Sequence, residues 1–459
     1  MAYLYISAAH KSSGKTTLSI GLCAALHQRG LKVQPFKKGP DFIDPLWLGR
    51  AAGRPCYNLD PFLSDFSTIE SEFHRRMQTA DVGLLEGNKG LFDGLDLDGG
   101  NSNAAVAQAL GAPVVLVLDA RGMTRGIAPL ILGYQHFEPK VRIAGVILNQ
   151  LGGSRHEAKL RSVIEHYTEM PVLGAVHRFD ELAIDERHLG LIPSNEAQAA
   201  DHRIATIAAR VAESVELDRV MDVAGLAPSV PKLGAVEALS MGATRIRIGI
   251  AKDKAFGFYY PGDLESLEQA GAEIVVVNTL TDARLPPLDG LFLGGGFPET
   301  CMAELEANQS LRGEIATAIE DGLPVYAECG GLMYLGRSIS WKGQTRQMVG
   351  ALPVDAVMHA RPQGRGYVRL EETSDHPWGG APAVGEVRAH EFHYSRLENI
   401  APGLRYAYRV KRGAGIDGEN DGLVYRKVLA GYTHLRSVPG QAWATRFVDY
   451  LRRCRRPTE

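Results

Sequence analysis

Cysteine is scarce in this chain: Cys23, Cys56, Cys301, Cys329 and Cys454 are odd in number and scattered. So few thiols exclude a disulfide framework and fit a reducing, cytoplasmic setting. A basic-then-apolar leader is missing too, and the longest apolar run, residues 112–118, falls far short of the ~20 residues that cross a bilayer. No membrane role is expected. Neither sign of charge is in excess: 50 Lys+Arg against 53 Asp+Glu leave a formal charge of -3, which argues against a nucleic-acid coat but leaves room for a local basic pocket. Internal repeats and low-complexity tracts are absent as well. What is present is 459 residues of ordinary globular composition, enough for roughly two to four domains.

The first half alternates short β-branched runs with amphipathic segments. Residues 4–6, 82–85, 114–118 and 141–148 read as buried strands, and 15–29 as a helix stopped by Gly30. Such repetition predicts a mostly parallel sheet with ligands at the strand C-terminal ends. From about residue 218 the pattern loosens into a stretch with prolines and small residues. A second α/β series then starts at residue 246, with strands at 246–250, 274–277, 290–293 and 324–327. The reading is two α/β domains, 1–220 and 245–459, joined by a linker at 221–244.

The segment SAAHKSSGKTT (residues 7–17) follows a strand and opens a helix, a context in which backbone N–H groups and the helix end surround phosphate oxygens. Gly14 permits close approach, Lys15 reaches phosphate, Thr16 offers a hydroxyl to magnesium, and Thr17 continues the nucleotide-binding turn. Ala9 stands where the motif usually has its first glycine. Asp41 and Asp44 lie in a Gly/Pro-bounded loop, Glu86 directly follows a strand, and Asp93 sits in the loop beyond. Hard oxygen donors near a phosphate loop suit Mg²⁺, so Thr16, Asp41 and Glu86 are the candidate metal residues. Asp44 and Asp93 are equally the kind of residue that closes a turn. Asn149, after the strand at 144–148, is a candidate for an adenine edge, as is the backbone around residues 191–195.

In the second half, Cys329 sits where an apolar strand meets a helix, a strained turn that exposes a nucleophile and lowers its thiol pKa. Upstream, the glycines after the strand at 290–293 can aim N–H groups at an oxyanion, and downstream His434 offers a base. Arg361, Arg365 and Arg369 are candidates to hold spare carboxylates, or else a solvated strand face.

Together these segments resemble the cobyrinate a,c-diamide synthase family, which pairs a dethiobiotin-synthetase-like ATP domain with a class I glutaminase. The marks are KKGPDFIDP (37–45), AKDKAFGFYY (251–260), LGGGFPE (293–299), AECGGLMYL (327–335) and HEFHYS (390–395). The resemblance implies a P-loop parallel sheet followed by a glutamine amidotransferase-like fold. It implies Cys329 as nucleophile with His434 as base, and Gly295 and Gly330 near the oxyanion hole. Lys15 and Thr16 fall on the ATP-phosphate and magnesium positions, Asp41 and Glu86 on the metal-site carboxylates, and Asp44 and Asp93 near the substrate carboxylate. The implied reaction activates acetate carboxylates of a tetrapyrrole as acyl phosphates and displaces phosphate with ammonia from glutamine, twice. ATP, glutamine and Mg²⁺ are the implied co-substrates and cofactor, and a homodimer is an open expectation.

Two features depart from the pattern. Arg436 stands where many class I glutaminases carry the Glu that follows the histidine, so a Cys–His dyad is expected, with Glu391 left open as an orienting group. Asn88 and Lys89 stand where a corrinoid enzyme is expected to carry Val-Met, and residues 94–103 are also unusual. Siroheme and other sirohydrochlorin-derived macrocycles therefore compete with a corrin as substrate. A partition-type ATPase switch with an inactive glutaminase is the alternative from another class. Its signature lysine position, however, is His10.

Overall fold

The computed structural model describes residues 1–178, 186–187, 190–195, 199–232, 245–379 and 385–455. The chain divides into two compact units, residues 1–236 and 237–459. Helix Leu217–Ala224 buries Leu217, Val220, Val223 and Ala224. The start of the expected linker is thus an amphipathic helix of the first unit, and residues 233–244 of it lie outside the described residues. Among the described residues no helix is long and apolar enough to cross a membrane.

The first unit is built on seven parallel strands: β1 Ala2–Ala8, β2 Val33–Lys38, β3 Tyr57–Leu59, β4 Val82–Glu86, β5 Val114–Asp119, β6 Ile143–Leu151 and β7 Val172–His177. Their order is β3-β2-β4-β1-β5-β6-β7. Strands such as β5 read as unbroken apolar runs because helices cover both faces of a parallel sheet. Helix α1, Lys15–Gln28, follows β1, and α2, Ile43–Ala52, follows β2. Since β2, β4 and β1 are neighbours, the loops leaving their C-terminal ends converge on one edge. That edge collects the phosphate loop, the Asp41/Asp44 loop and Glu86.

The second unit has a nine-stranded sheet. Five strands are parallel, in the order Ala272–Val277, Ile246–Ala251, Gly290–Leu293, Val325–Glu328 and Val428–Gly431. The sheet then continues antiparallel through Asn420–Tyr425, Arg405–Arg412, Gly364–Glu372 and Val387–His393. Val325–Glu328 lies directly beside Val428–Gly431, with Glu328 opposite Gly431. Residues just beyond these two ends, Cys329 and His434, are thereby brought together although far apart in sequence.

Candidate active sites

In the first unit Gly14 adopts φ 83, a left-handed conformation at the start of α1. A Cβ there would come within 2.2 Å of Asn149 Nδ2, so only glycine lets the loop close against β6. Asn149 donates to the Ser13 carbonyl at 2.9 Å. One N–H of its amide thus braces the phosphate loop. Lys15 is buried, and burial together with Lys37 pushes its ammonium pKa down. Thr17 sits half-buried in the first turn of α1.

The Thr16 hydroxyl donates to Glu86 Oε1 at 2.7 Å and lies 3.2 Å from Asp44 Oδ2. At the centre of this group stands Lys37, whose ammonium is 2.5 Å from Asp44, 2.9 Å from Glu86 and 3.8 Å from Asp41. Burial opposes its charge, but Asp44, Glu86 and Asp41 more than reverse that and keep it cationic. Burial likewise opposes ionisation of Asp44, yet Lys37 outweighs it and holds Asp44 below the ordinary carboxylate range. Burial raises Glu86 against the pull of Lys37. Lys37 escaped the sequence reading as a functional residue. Its signal was a lysine inside a buried strand, immediately ahead of Lys-Gly-Pro-Asp.

Asp41 and Asp44 make different contacts. Asp41 Oδ1 accepts from the backbone N–H groups of Ile43 at 2.8 Å and Asp44 at 3.1 Å, capping the start of α2. Asp44, expected near the substrate carboxylate, is the one beside Thr16. Asp93 is exposed and its Oδ2 accepts from Gly90 N at 2.8 Å, so in this structure it closes a turn. The oxygens of Thr16, Glu86 and Asp44 form a hard donor set, and Glu86 Oε2 is buried with no partner among the described residues. These residues fit a magnesium ion that takes its other ligands from a nucleotide and water. No cluster of three His, Cys, Asp or Glu residues among those described would hold a metal alone.

In the second unit Cys329 ends its strand at φ 47 and starts helix Gly330–Leu335. Its amide donates to the Gly431 carbonyl at 2.8 Å, stitching the nucleophile's turn to the strand that leads to His434. Asp421 fixes the approach to that histidine by accepting from the amides of Tyr432 at 3.0 Å and Thr433 at 3.1 Å. A Cβ on Gly295 would lie 2.7 Å from His434 Cε1, and one on Gly330 would lie 3.1 Å from Gly296 N. The glycine turn is therefore packed against both the thiol's helix and the imidazole. The expected lowering of the thiol pKa is not what this environment produces. Burial, reinforced by Glu299 and Glu328, pushes the Cys329 thiol up.

Behind the His434 ring stands Glu328, which the sequence reading passed over. Its Oε2 lies 3.1 Å from His434 Nδ1, while Oε1 accepts from Tyr326 Oη at 2.5 Å and Leu435 N at 3.0 Å. A buried carboxylate thus stands behind the imidazole of the expected Cys–His dyad. Glu391 takes no part, because its two oxygens accept from Ala414 N and Gly415 N. Arg436 lies 3.5 Å from the buried Asp263 and stacks over Tyr260. The His390 ring stacks on His434 with centroids 4.9 Å apart, and the two backbones bond to each other. Arg361, Arg365 and Arg369 are exposed, with Arg365 lying over Phe392 and Arg369 pairing with Glu386.

Residues 6–192 match the CobQ/CobB/MinD/ParA nucleotide binding domain, and residues 247–440 match the CobB/CobQ-like glutamine amidotransferase domain. Proteins named cobyrinate a,c-diamide synthase are similar over almost the whole chain. That of Magnetococcus marinus is 46% identical over 96% of this chain and 95% of its own length. That of Methanosarcina acetivorans is 41% identical over 97% and 94%, and that of Archaeoglobus fulgidus 41% identical over 95% and 94%. With identity of this degree running through both units, this chain belongs to the cobyrinate a,c-diamide synthase family.

Proposed function

We propose that the chain is an ATP- and glutamine-dependent ligase that converts the a and c acetate carboxylates of cobyrinate to amides. A carboxylate repels ammonia's lone pair, so it first needs a leaving group. In the first unit a carboxylate oxygen attacks the γ-phosphorus of ATP, ADP departs, and an acyl phosphate remains. Lys15 and the N–H groups around Gly14 hold the phosphates, and Lys37 offsets charge on the transferred group. Thr16, Glu86 and Asp44 would hold Mg²⁺, which screens phosphate charge when bound.

In the second unit His434 takes the Cys329 proton as the sulfur attacks the glutamine carboxamide carbon. The imidazolium hands that proton to the departing nitrogen, ammonia leaves, and water then cleaves the thioester to glutamate and the free thiol. A thiol whose pKa is raised depends on such a base, and Glu328 stabilises the imidazolium that results. Ammonia attacks the acyl phosphate carbon, phosphate departs, and a second cycle amidates the other acetate. The buried Glu328 carboxylate behind His434, at the same sheet end as the Cys329 turn, is the observation that favours this reading over a nucleotide switch with an inactive glutaminase. The names of its relatives favour cobyrinate over a siroheme-type macrocycle.

Mass analysis of cobyrinate incubated with the chain, Mg²⁺, ATP and glutamine tests it. A doubly amidated product is expected. Cys329→Ala should abolish amidation from glutamine and retain it from ammonium chloride, whereas loss of both would contradict the division into two sites.

A further inference from the structure

Next to the phosphate-transfer group the chain buries a second cation that the scheme above does not use. Lys38, the last residue of β2, follows Lys37, and successive strand residues point to opposite faces of a sheet. While Lys37 reaches Asp44 and Glu86, Lys38 is only 4% exposed and donates to Asn101 Oδ1 at 3.0 Å. That bond identifies the free end of the Asn101 amide. Asn101 is 7% exposed, and its Nδ2 is buried with no partner among the described residues. Two donor groups are therefore side by side: among the described residues the ammonium has one neutral acceptor for three N–H bonds, and the amide nitrogen has none.

Burying donors this way is costly unless something accepts from them. Burial, opposed by Asp60 and reinforced by Lys89, pushes the Lys38 pKa down to about 8, leaving it cationic at neutral pH. The position is the C-terminal edge of a parallel sheet, where open α/β folds take their ligands. Lys89 stands on the neighbouring loop at φ 45, an uncommon conformation for a side chain of its size. Asn103 holds that loop through the carbonyls of Asn88 and Gly90. Lys89 and Asn101 both belong to the stretch whose sequence departs from the family pattern.

We propose that Lys38 and Asn101 form a cradle for a carboxylate of the macrocycle other than the one being phosphorylated, with Lys89 at its rim. This rests on the reading of the chain as an amidase of a polycarboxylate tetrapyrrole. One carboxylate offers enough lone pairs to accept from Nζ and Nδ2 together. Anchoring a spare acid group there would fix which acetate reaches Lys37.

Cobyrinate is coloured, so its binding to the full-length chain can be titrated by visible absorbance without ATP. Lys38→Met should weaken binding ~10-fold or more, the usual consequence of losing a charge-assisted hydrogen bond. It should leave the KM for ATP unchanged and the melting temperature at or above that of the wild type. Asn101→Asp supplies Lys38 with an internal carboxylate and should weaken cobyrinate binding similarly, a second arm if Lys38→Met fails to fold. Unchanged cobyrinate binding in these variants would overturn the cradle, as would a lowered melting temperature with unaltered affinity. A KM for ATP rising as much as that for cobyrinate would assign the cradle to nucleotide phosphate and overturn it too. Failure of the wild-type chain to bind or amidate cobyrinate would instead overturn the underlying reading.

Discussion

At the scale of single residues, what decides the glutaminase chemistry is the company His434 keeps. A neutral imidazole is a useful base only if the nitrogen facing the thiol lacks a proton. An acceptor behind Nδ1 enforces that tautomer, and Glu328 Oε2 is that acceptor at 3.1 Å. Glu328→Gln keeps the shape but replaces an anion with a neutral amide. Turnover with glutamine should fall ~10²-fold or more, while turnover with ammonium chloride and the melting temperature stay near wild type. Equal losses with both nitrogen sources would mean that Glu328 serves the fold rather than the base. Cys329 and Lys15 were legible because short motifs announce them. Glu328 and Lys37 were not, because the partners His434 of Glu328 and Glu86 of Lys37 are far away in sequence. Glu328 meets His434 only through the pairing of Val325–Glu328 with Val428–Gly431.

At the scale of elements, the β1–loop–α1 unit shows how a motif becomes a site. The loop must bring consecutive N–H groups inward, and the φ of 83 at Gly14 is the conformation that does so. Gly14→Ala puts a methyl group into a left-handed backbone, at ~1–2 kcal/mol, and drives it into Asn149. The brace from Asn149 to Ser13 would break. We expect the KM for ATP to rise at least ~10-fold while the glutaminase rate, measured as glutamate release, is unaffected. An unaltered KM would remove this loop from the nucleotide site. The parallel core of each unit was readable from its apolar runs. The antiparallel extension was not: strands such as Arg405–Arg412 interleave charged with apolar residues, and half-exposed strands carry no such run.

At the scale of the whole molecule, two units with separate cores need not unfold together, and among the buried titratable groups of the second are a histidine and an aspartate whose titrations pull stability in opposite directions. His376 is buried, donating toward Tyr408 with its other nitrogen facing Trp378 N, and burial lowers its pKa to about 4. The unfolded chain binds this proton near pH ~6.5. Between those values the unfolded state holds more protons, so stability is complete above the upper one and is lost as pH falls toward the lower. The full effect is on the order of 3 kcal/mol. Asp263 behaves inversely: burial, outweighing Arg436, raises its carboxyl to about 7, against ~3.9 when unfolded. Across that interval the folded state holds the extra proton, and stability falls as pH rises. In denaturant unfolding of the second unit between pH ~4 and ~6.5 these two contributions oppose one another. Relative to the wild type, His376→Asn should tilt the stability profile toward decline with rising pH, and Asp263→Asn should tilt it toward a climb. Tilts of the same sign in both variants would show that these two groups do not contribute to the acid response of the fold in this way.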